Sequence, residues 1–264
     1  MQQCFFCLWA VMLGLAGTAS AGTIRVSAAI SLKEAVVDIA KSYQADGGDE
    51  VVFTFGSSGQ LATQIKNGAE VDAFISAAMK QVEDLAKDKL VDKAAFTVAA
   101  RNSLVLVVPA GAANSPVSFE SLGDVSVRKI AIGDPKTVPA GDYAMQVLTF
   151  LNVADKLGDR VVYGTNVRQV LTYVESNEVS AGIVYATDAK ASGEKVKVVA
   201  TAKPETHKPI VYPGVVILAS KHPDLAAKFL AYFHTEKAKK ILTDRGFIVE
   251  EPAATTASSM APSK

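Results

Sequence analysis

Short β-rich runs alternate with stretches of helical period along this chain, and that alternation limits the possible fold more than any other feature. Residues 24–28 read as a strand feeding a helix in which Leu32, Ala35, Val36, Ile39, Ala40 and Tyr43 share one face. A second strand at 51–55 precedes a helix marked by Leu61, Ala62 and Ile65 and ended by Gly68. Further strands are expected at 71–76, 103–108, 129–132, 160–163 and 181–185, with helices over 140–151 and 167–176. This order predicts an α/β protein whose sheets are mostly parallel and flanked by helices on both faces. A longer β run over 210–218, broken by Pro213 and Gly214, precedes helices at 224–233 and 236–244. Its lateness and its break suggest a return of the chain to the first domain. No internal repeat stands out.

The ends of the chain set the compartment. Residues 5–17 are an apolar run too short to cross a bilayer, and Ala19 and Ala21 give the small-x-small pattern that signal peptidase requires. Residues 1–21 are therefore expected to be a signal peptide, although Met1-Gln2-Gln3 carries no Lys or Arg, and the mature chain to be periplasmic. Cys4 and Cys7 both fall inside that leader, which leaves the mature chain without a disulfide or a cysteine metal site. Residues 252–264, rich in Ala, Thr, Ser and Pro, read as a disordered tail.

Charge and histidine content remove other classes. The 27 Lys and Arg balance 27 Asp and Glu without a basic block, which argues against a nucleic-acid partner. The three histidines, His207, His222 and His234, all lie in the last quarter, and Gly56-Ser57-Ser58-Gly59 is not a G-x-S-x-G elbow. No metal-ligand spacing is present, and catalysis is not expected. Iron(III) is disfavoured as a ligand because no paired tyrosines stand in a site-like loop.

Four helix starts resemble one another. Ser31 is followed three residues on by Glu34, and Ser57 by Gln60, both in capping-box register. Pro139 precedes Ala140-Gly141 at a first-turn position, and Asn166 stands before Val167 with Gln169 three residues on. Each serine can be a plain helix cap, and each turn in isolation is ordinary. Together they place several helix N-termini beyond strand ends, where unpaired N–H groups and helix dipoles form an anion site without a cation.

Matching stretches then follow in order: Ala-Ala-Ile-Ser-Leu at 28–32, Phe-Gly-Ser-Ser-Gly-Gln-Leu at 55–61, and Asp-Ala-Phe-Ile-Ser-Ala at 72–77. Asn-Ser-Leu-Val at 102–105, Ile-Gly-Asp-Pro at 132–135, Val-Pro-Ala-Gly at 138–141, Asn-Val-Arg at 166–168 and Gly-Ile-Val-Tyr at 182–185 complete the set. Over 22–249 the chain resembles the periplasmic molybdate-binding proteins of ABC transporters, a group of class II solute-binding proteins. The resemblance implies a two-lobed fold with two chain crossovers, expected near Arg101 and Val215. Lobe 1 would comprise 22–101 and 216–251, and lobe 2 would comprise 102–215.

The resemblance further implies that Ser31, Ser58, Ala140, Val167 and Tyr185 hold one molybdate or tungstate oxyanion. The serines would give hydroxyl and N–H, Ala140 and Val167 backbone N–H, and Tyr185 its phenol. Molybdenum would be bound only as that oxyanion, with no cofactor, by a monomer that delivers it to a membrane permease. Sulfate, another tetrahedral oxyanion, is the alternative ligand. Gly59 stands where the family commonly has serine, which leaves the register between Ser57 and Ser58 open. Ala186 stands where the family has glycine. Arg168, beside Val167, is expected to make ion pairs and not to touch the ligand.

Overall fold

The computed structural model describes residues 22–113 and 115–249. The expected leader, with both cysteines, and the expected tail lie outside these residues.

Ten strands form two five-stranded sheets among the described residues. The first contains β1 (Thr23–Ala29), β2 (Glu50–Gly56), β3 (Ala73–Ile75), β4 (Thr97–Arg101) and β10 (Val211–Val216), in the order β2-β1-β3-β10-β4. The second contains β5 (Leu104–Pro109), β6 (Ile130–Gly133), β7 (Val161–Gly164), β8 (Ala181–Tyr185) and β9 (Val196–Thr201), in the order β7-β6-β8-β5-β9. The two orders have the same form. In each sheet one strand runs against the other four, β10 in the first and β5 in the second. Each reversed strand is the first after the chain passes between sheets. The sheets are thus mixed in pairing and mostly parallel in strand direction.

Both sheets are covered on both faces, and their strands show it. β5 and β8 are buried throughout, the continuous apolar pattern of doubly covered strands. In β3, Ala73 and Ile75 face one apolar cluster and Phe74 the other, the alternation that a pleat of period two requires. Helix α1 (Lys33–Ala45) buries Ala35, Val36, Ile39, Ala40 and Tyr43 against one face of the first sheet, the stripe predicted from period. Helices α2 (Ser58–Lys66) and α3 (Met79–Lys87) bury Leu61, Ile65, Val82 and Leu85 on the opposite face. At about 1.5–3 kcal/mol for each large apolar side chain buried, such stripes fix which way every helix start points.

The second sheet carries α4 (Pro139–Phe150), the short α5 (Ala154–Leu157), α6 (Val167–Glu175) and α7 (Ala186–Ser192). Helices α8 (Pro223–Tyr232) and α9 (Glu236–Asp244) then close the first lobe, where α9 packs on α1 and α8 on β10.

The first passage, between Arg101 and Leu104, lies where it was expected. The second lies elsewhere. β10 pairs along its length with β3 and β4, so the chain crosses within residues 202–210, upstream of Val215. Pro213 and Gly214 stay paired within β10; the register against β4 shifts between Tyr212 and Pro213, where Ala99 of β4 is passed over, so the proline sits next to a bulge and not at a crossing.

Candidate functional site

The five residues singled out by sequence all follow carboxyl ends of strands, the edge of an open α/β sheet where ligands bind. Ser31 follows β1, Ser58 follows β2, Ala140 follows β6, Val167 follows β7, and Tyr185 ends β8. All are buried, none more than 4% exposed.

Contacts between neighbours bring the five together across the two lobes. Gly59, next to Ser58, donates its N–H to the Thr137 carbonyl, three residues before Ala140, at 2.9 Å. Arg168, next to Val167, places Nη2 2.6 Å from Glu34 Oε2, three residues after Ser31. Ala77 donates its N–H to Ser58 Oγ at 3.0 Å and accepts a long bond from the Tyr185 hydroxyl at 3.5 Å. The structure therefore holds the lobes closed on one another around these residues. A cavity of about 250 Å³ beside the Glu34–Arg168 contact is lined by Ser31, Thr187, Lys190 and Arg245 among others and includes, of the five, Ser31 alone. A larger one, about 670 Å³ at Arg128, Lys129 and Asn177 in the second lobe, includes none of the five.

Local hydrogen bonding determines which N–H groups each helix start leaves unused. Ser57 caps α2 by accepting from Gln60 N–H at 3.4 Å, and Asn166 caps α6 by accepting from Gln169 N–H at 3.0 Å. The caps thus occupy the third N–H of each helix and leave the first, that of Ser58 or Val167, without a partner from its own helix. In α4, Pro139 has no N–H and Gly141 N–H bonds back to Val138 O at 2.9 Å, so Ala140 carries the donor between them. Gly141 is required by close approach: a Cβ there would lie 1.9 Å from the Gly133 carbonyl oxygen. That contact seats the start of α4 on the end of β6.

Ser57 and Ser58 consequently differ in employment. The hydroxyl of Ser57 caps its own helix, whereas Ser58 Oγ accepts from Ala77 and keeps its proton to donate. Ser31 departs from the capping expectation. It sits in a single 3₁₀ turn, Ile30–Leu32, with no side-chain cap bond, and its Oγ lies 3.1 Å from the Tyr212 hydroxyl. Glu34 does not complete a capping box either, being paired with Arg168. The alanine at position 186 causes no strain: it opens α7 and donates its N–H to Ser103 O at 2.9 Å.

Around this polar ring the titrating groups are pushed toward neutrality. Burial raises the Tyr185 phenol well above its usual range, with Tyr212 adding to the effect, so it remains a donor. Asp188, fully buried in the first turn of α7, is raised to about 7 by burial, against the pull of Arg168, whose Nε lies 2.8 Å away. Arg168 thus bridges Glu34 of the first lobe and Asp188 of the second, the ion-pair role expected of it.

Tyr212 and Asp188 were not signalled by sequence pattern, since each acquires its setting only through the fold. Tyr212 also corrects the argument against iron(III), because it stands beside Tyr185 with ring centroids 5.8 Å apart. The buried pair still disfavours that ion. Ferric binding needs phenolates, and burial raises both phenols.

A family model of bacterial extracellular solute-binding proteins matches residues 24–248. The ABC transporter substrate-binding lipoprotein YvgL of Bacillus subtilis is 42% identical over 229 residues, covering 86% of this chain and 87% of that one. The molybdate-binding protein ModA of Haemophilus influenzae is 40% identical over 239 residues, covering 89% and 93%. Among solved structures, the periplasmic molybdate-binding protein of Azotobacter vinelandii superposes with a TM-score of 0.76 at 26% identity, covering 86% of this chain and all of that one.

Proposed function

The chain belongs to the bacterial extracellular solute-binding proteins, with molybdate-binding proteins among its relatives, and from that membership we propose that it captures molybdate between its lobes for an ABC importer. The observation that supports the reading is that Ser31, Ser58, Ala140, Val167 and Tyr185 are all buried at carboxyl ends of strands, with contacts between their neighbours joining the two lobes there. Ser31 and Ser58 would each offer a hydroxyl and an N–H, Ala140 and Val167 an N–H, and Tyr185 a protonated phenol. This set offers backbone and hydroxyl donors and no carboxylate, which suits a fully ionised oxyanion. Helix dipoles supply the positive potential, so no lysine or arginine need touch the ion.

In this reading the ligand is bound without a cofactor and without a chemical step, molybdenum entering only as its oxyanion. The protein acts as a monomer outside the cytoplasmic membrane, after export through its leader, and its loaded, closed form is what the permease recognises. Tungstate shares the charge and nearly the size of molybdate and is taken as well. Sulfate has the same shape but shorter bonds, and it spans the donor ring less completely. Titration calorimetry with molybdate, tungstate, sulfate and phosphate tests the proposal. Molybdate and tungstate should bind at least about tenfold more tightly than sulfate, a gap of roughly 1.4 kcal/mol, and phosphate should bind hardly at all. Sulfate binding as tight as molybdate would overturn the assignment.

A further inference from the structure

Asn102 and Tyr212 are buried polar residues that the proposed ligand set does not use. Asn102 lies on the first passage between lobes, and Tyr212 lies on β10, two residues after Ile210 at the end of the second. Hydrogen bonds join them to the cleft. Asn102 Nδ2 donates to Tyr212 Oη at 3.2 Å and to Thr187 Oγ1 at 2.8 Å, while its Oδ1 accepts from Ser103 N–H at 2.9 Å. Tyr212 Oη in turn lies 3.1 Å from Ser31 Oγ.

The direction of that last bond follows from the partners available. Asn102 meets Tyr212 with a donor, so it cannot receive the Tyr212 proton. Among the described residues, Ser31 Oγ is the acceptor within reach, and a buried hydroxyl proton without an acceptor is costly. Tyr212 therefore donates to Ser31. Ser31 Oγ, already accepting, must turn its own proton elsewhere, away from Tyr212. Burial holds the Tyr212 phenol far above its usual range, which keeps the donating proton in place.

We propose that Tyr212, held by Asn102, is a positioning residue that fixes the Ser31 hydroxyl as a donor into the cleft. The inference rests on the reading of Ser31 as a ligand contact. Without the relay, Ser31 is at liberty to rotate and to accept, and half of its hydrogen-bonding capacity opposes an anion. Because Asn102 stands on the first chain passage and Tyr212 in β10 just after the second, the ligand's donor is aligned from the side of the molecule where the lobes are joined. The Tyr212 ring packs edge-on against Phe247 at 5.6 Å between centroids and beside Tyr185 at 5.8 Å, contacts that phenylalanine preserves.

A double-mutant cycle tests this, with molybdate affinity measured by calorimetry for wild type, Ser31→Ala, Tyr212→Phe and the double variant. Tyr212→Phe should weaken binding about tenfold, the effect of one hydrogen bond to a charged partner. In the Ser31→Ala background the same substitution should change affinity less than about twofold, because its target is gone. Asn102→Ala should show the same dependence on Ser31, with a smaller loss, and serves as the readout if Tyr212→Phe does not fold. Equal losses in both backgrounds, or no loss in wild type, would overturn the relay. An inert Ser31→Ala would instead overturn the ligand reading on which the relay depends.

Discussion

Replacing Ser58 and Ser57 by alanine, one at a time, separates a ligand donor from a helix cap. Ser58 is 1% exposed and its Oγ accepts from Ala77 N–H at 3.0 Å. In the proposed site Ser58→Ala would remove a donor to a charged ligand, worth about 1.5–3 kcal/mol, so affinity for molybdate should fall roughly tenfold to a hundredfold. It also leaves the buried Ala77 N–H without its acceptor, at about 1–3 kcal/mol of stability. Ser57→Ala removes the α2 cap on Gln60 N–H, costing about 0.5–2 kcal/mol of stability. Its effect on affinity should stay within about threefold, because the Ser57 hydroxyl is turned to its own helix. Calorimetry gives the affinities, and urea unfolding of the ligand-free variants gives the stabilities. A larger affinity loss from Ser57→Ala than from Ser58→Ala would refute the assignment of these roles.

Three further perturbations read other parts of the site. Gly141→Ala places a Cβ 1.9 Å from the Gly133 carbonyl oxygen, a backbone atom, and should destabilise the protein by at least about 2 kcal/mol in urea unfolding. Gly59→Ala places a Cβ 2.5 Å from Thr137 O on the opposing lobe; affinity should fall at least about threefold while ligand-free stability is unchanged or higher, since alanine favours a helix by up to about 1 kcal/mol. Unaltered binding would show that the lobes need not approach there. Asp188 retains its proton up to about pH 7 when folded but loses it near pH 4 when unfolded, so the folded state binds the extra proton between those values. By linkage its contribution to stability is largest below about pH 4, falls as pH rises toward 7 and is flat above. Asp188→Asn should remove that slope, and parallel stability–pH curves for wild type and variant would show that Arg168 outweighs burial.

What the sequence made legible was local. Ser57 with Gln60, Asn166 with Gln169, and Pro139 in a first turn declare helix starts within a few residues, and all three are realised. Ser31 and Glu34 have the same spacing, yet the fold recruits them to Tyr212 and Arg168, 181 and 134 residues distant. Partners so far along the chain leave no local trace. The strands β4 and β9 escaped the reading because each is an outer strand of its sheet with a half-exposed, weakly alternating pattern. Pro213-Gly214 misled for a related reason: a proline within a β run signals a break, and only the pairing shows that β10 continues through it beside a bulge in β4.

The central claim, that one molybdate ion is held by donors from both lobes, is tested most directly by diffraction from crystals grown with molybdate, recorded near a molybdenum absorption edge. The account predicts a single strong anomalous peak within hydrogen-bond distance of Ser31, Ser58, Ala140, Val167 and Tyr185 together. A peak outside the cleft, or one touching residues of a single lobe, would contradict it.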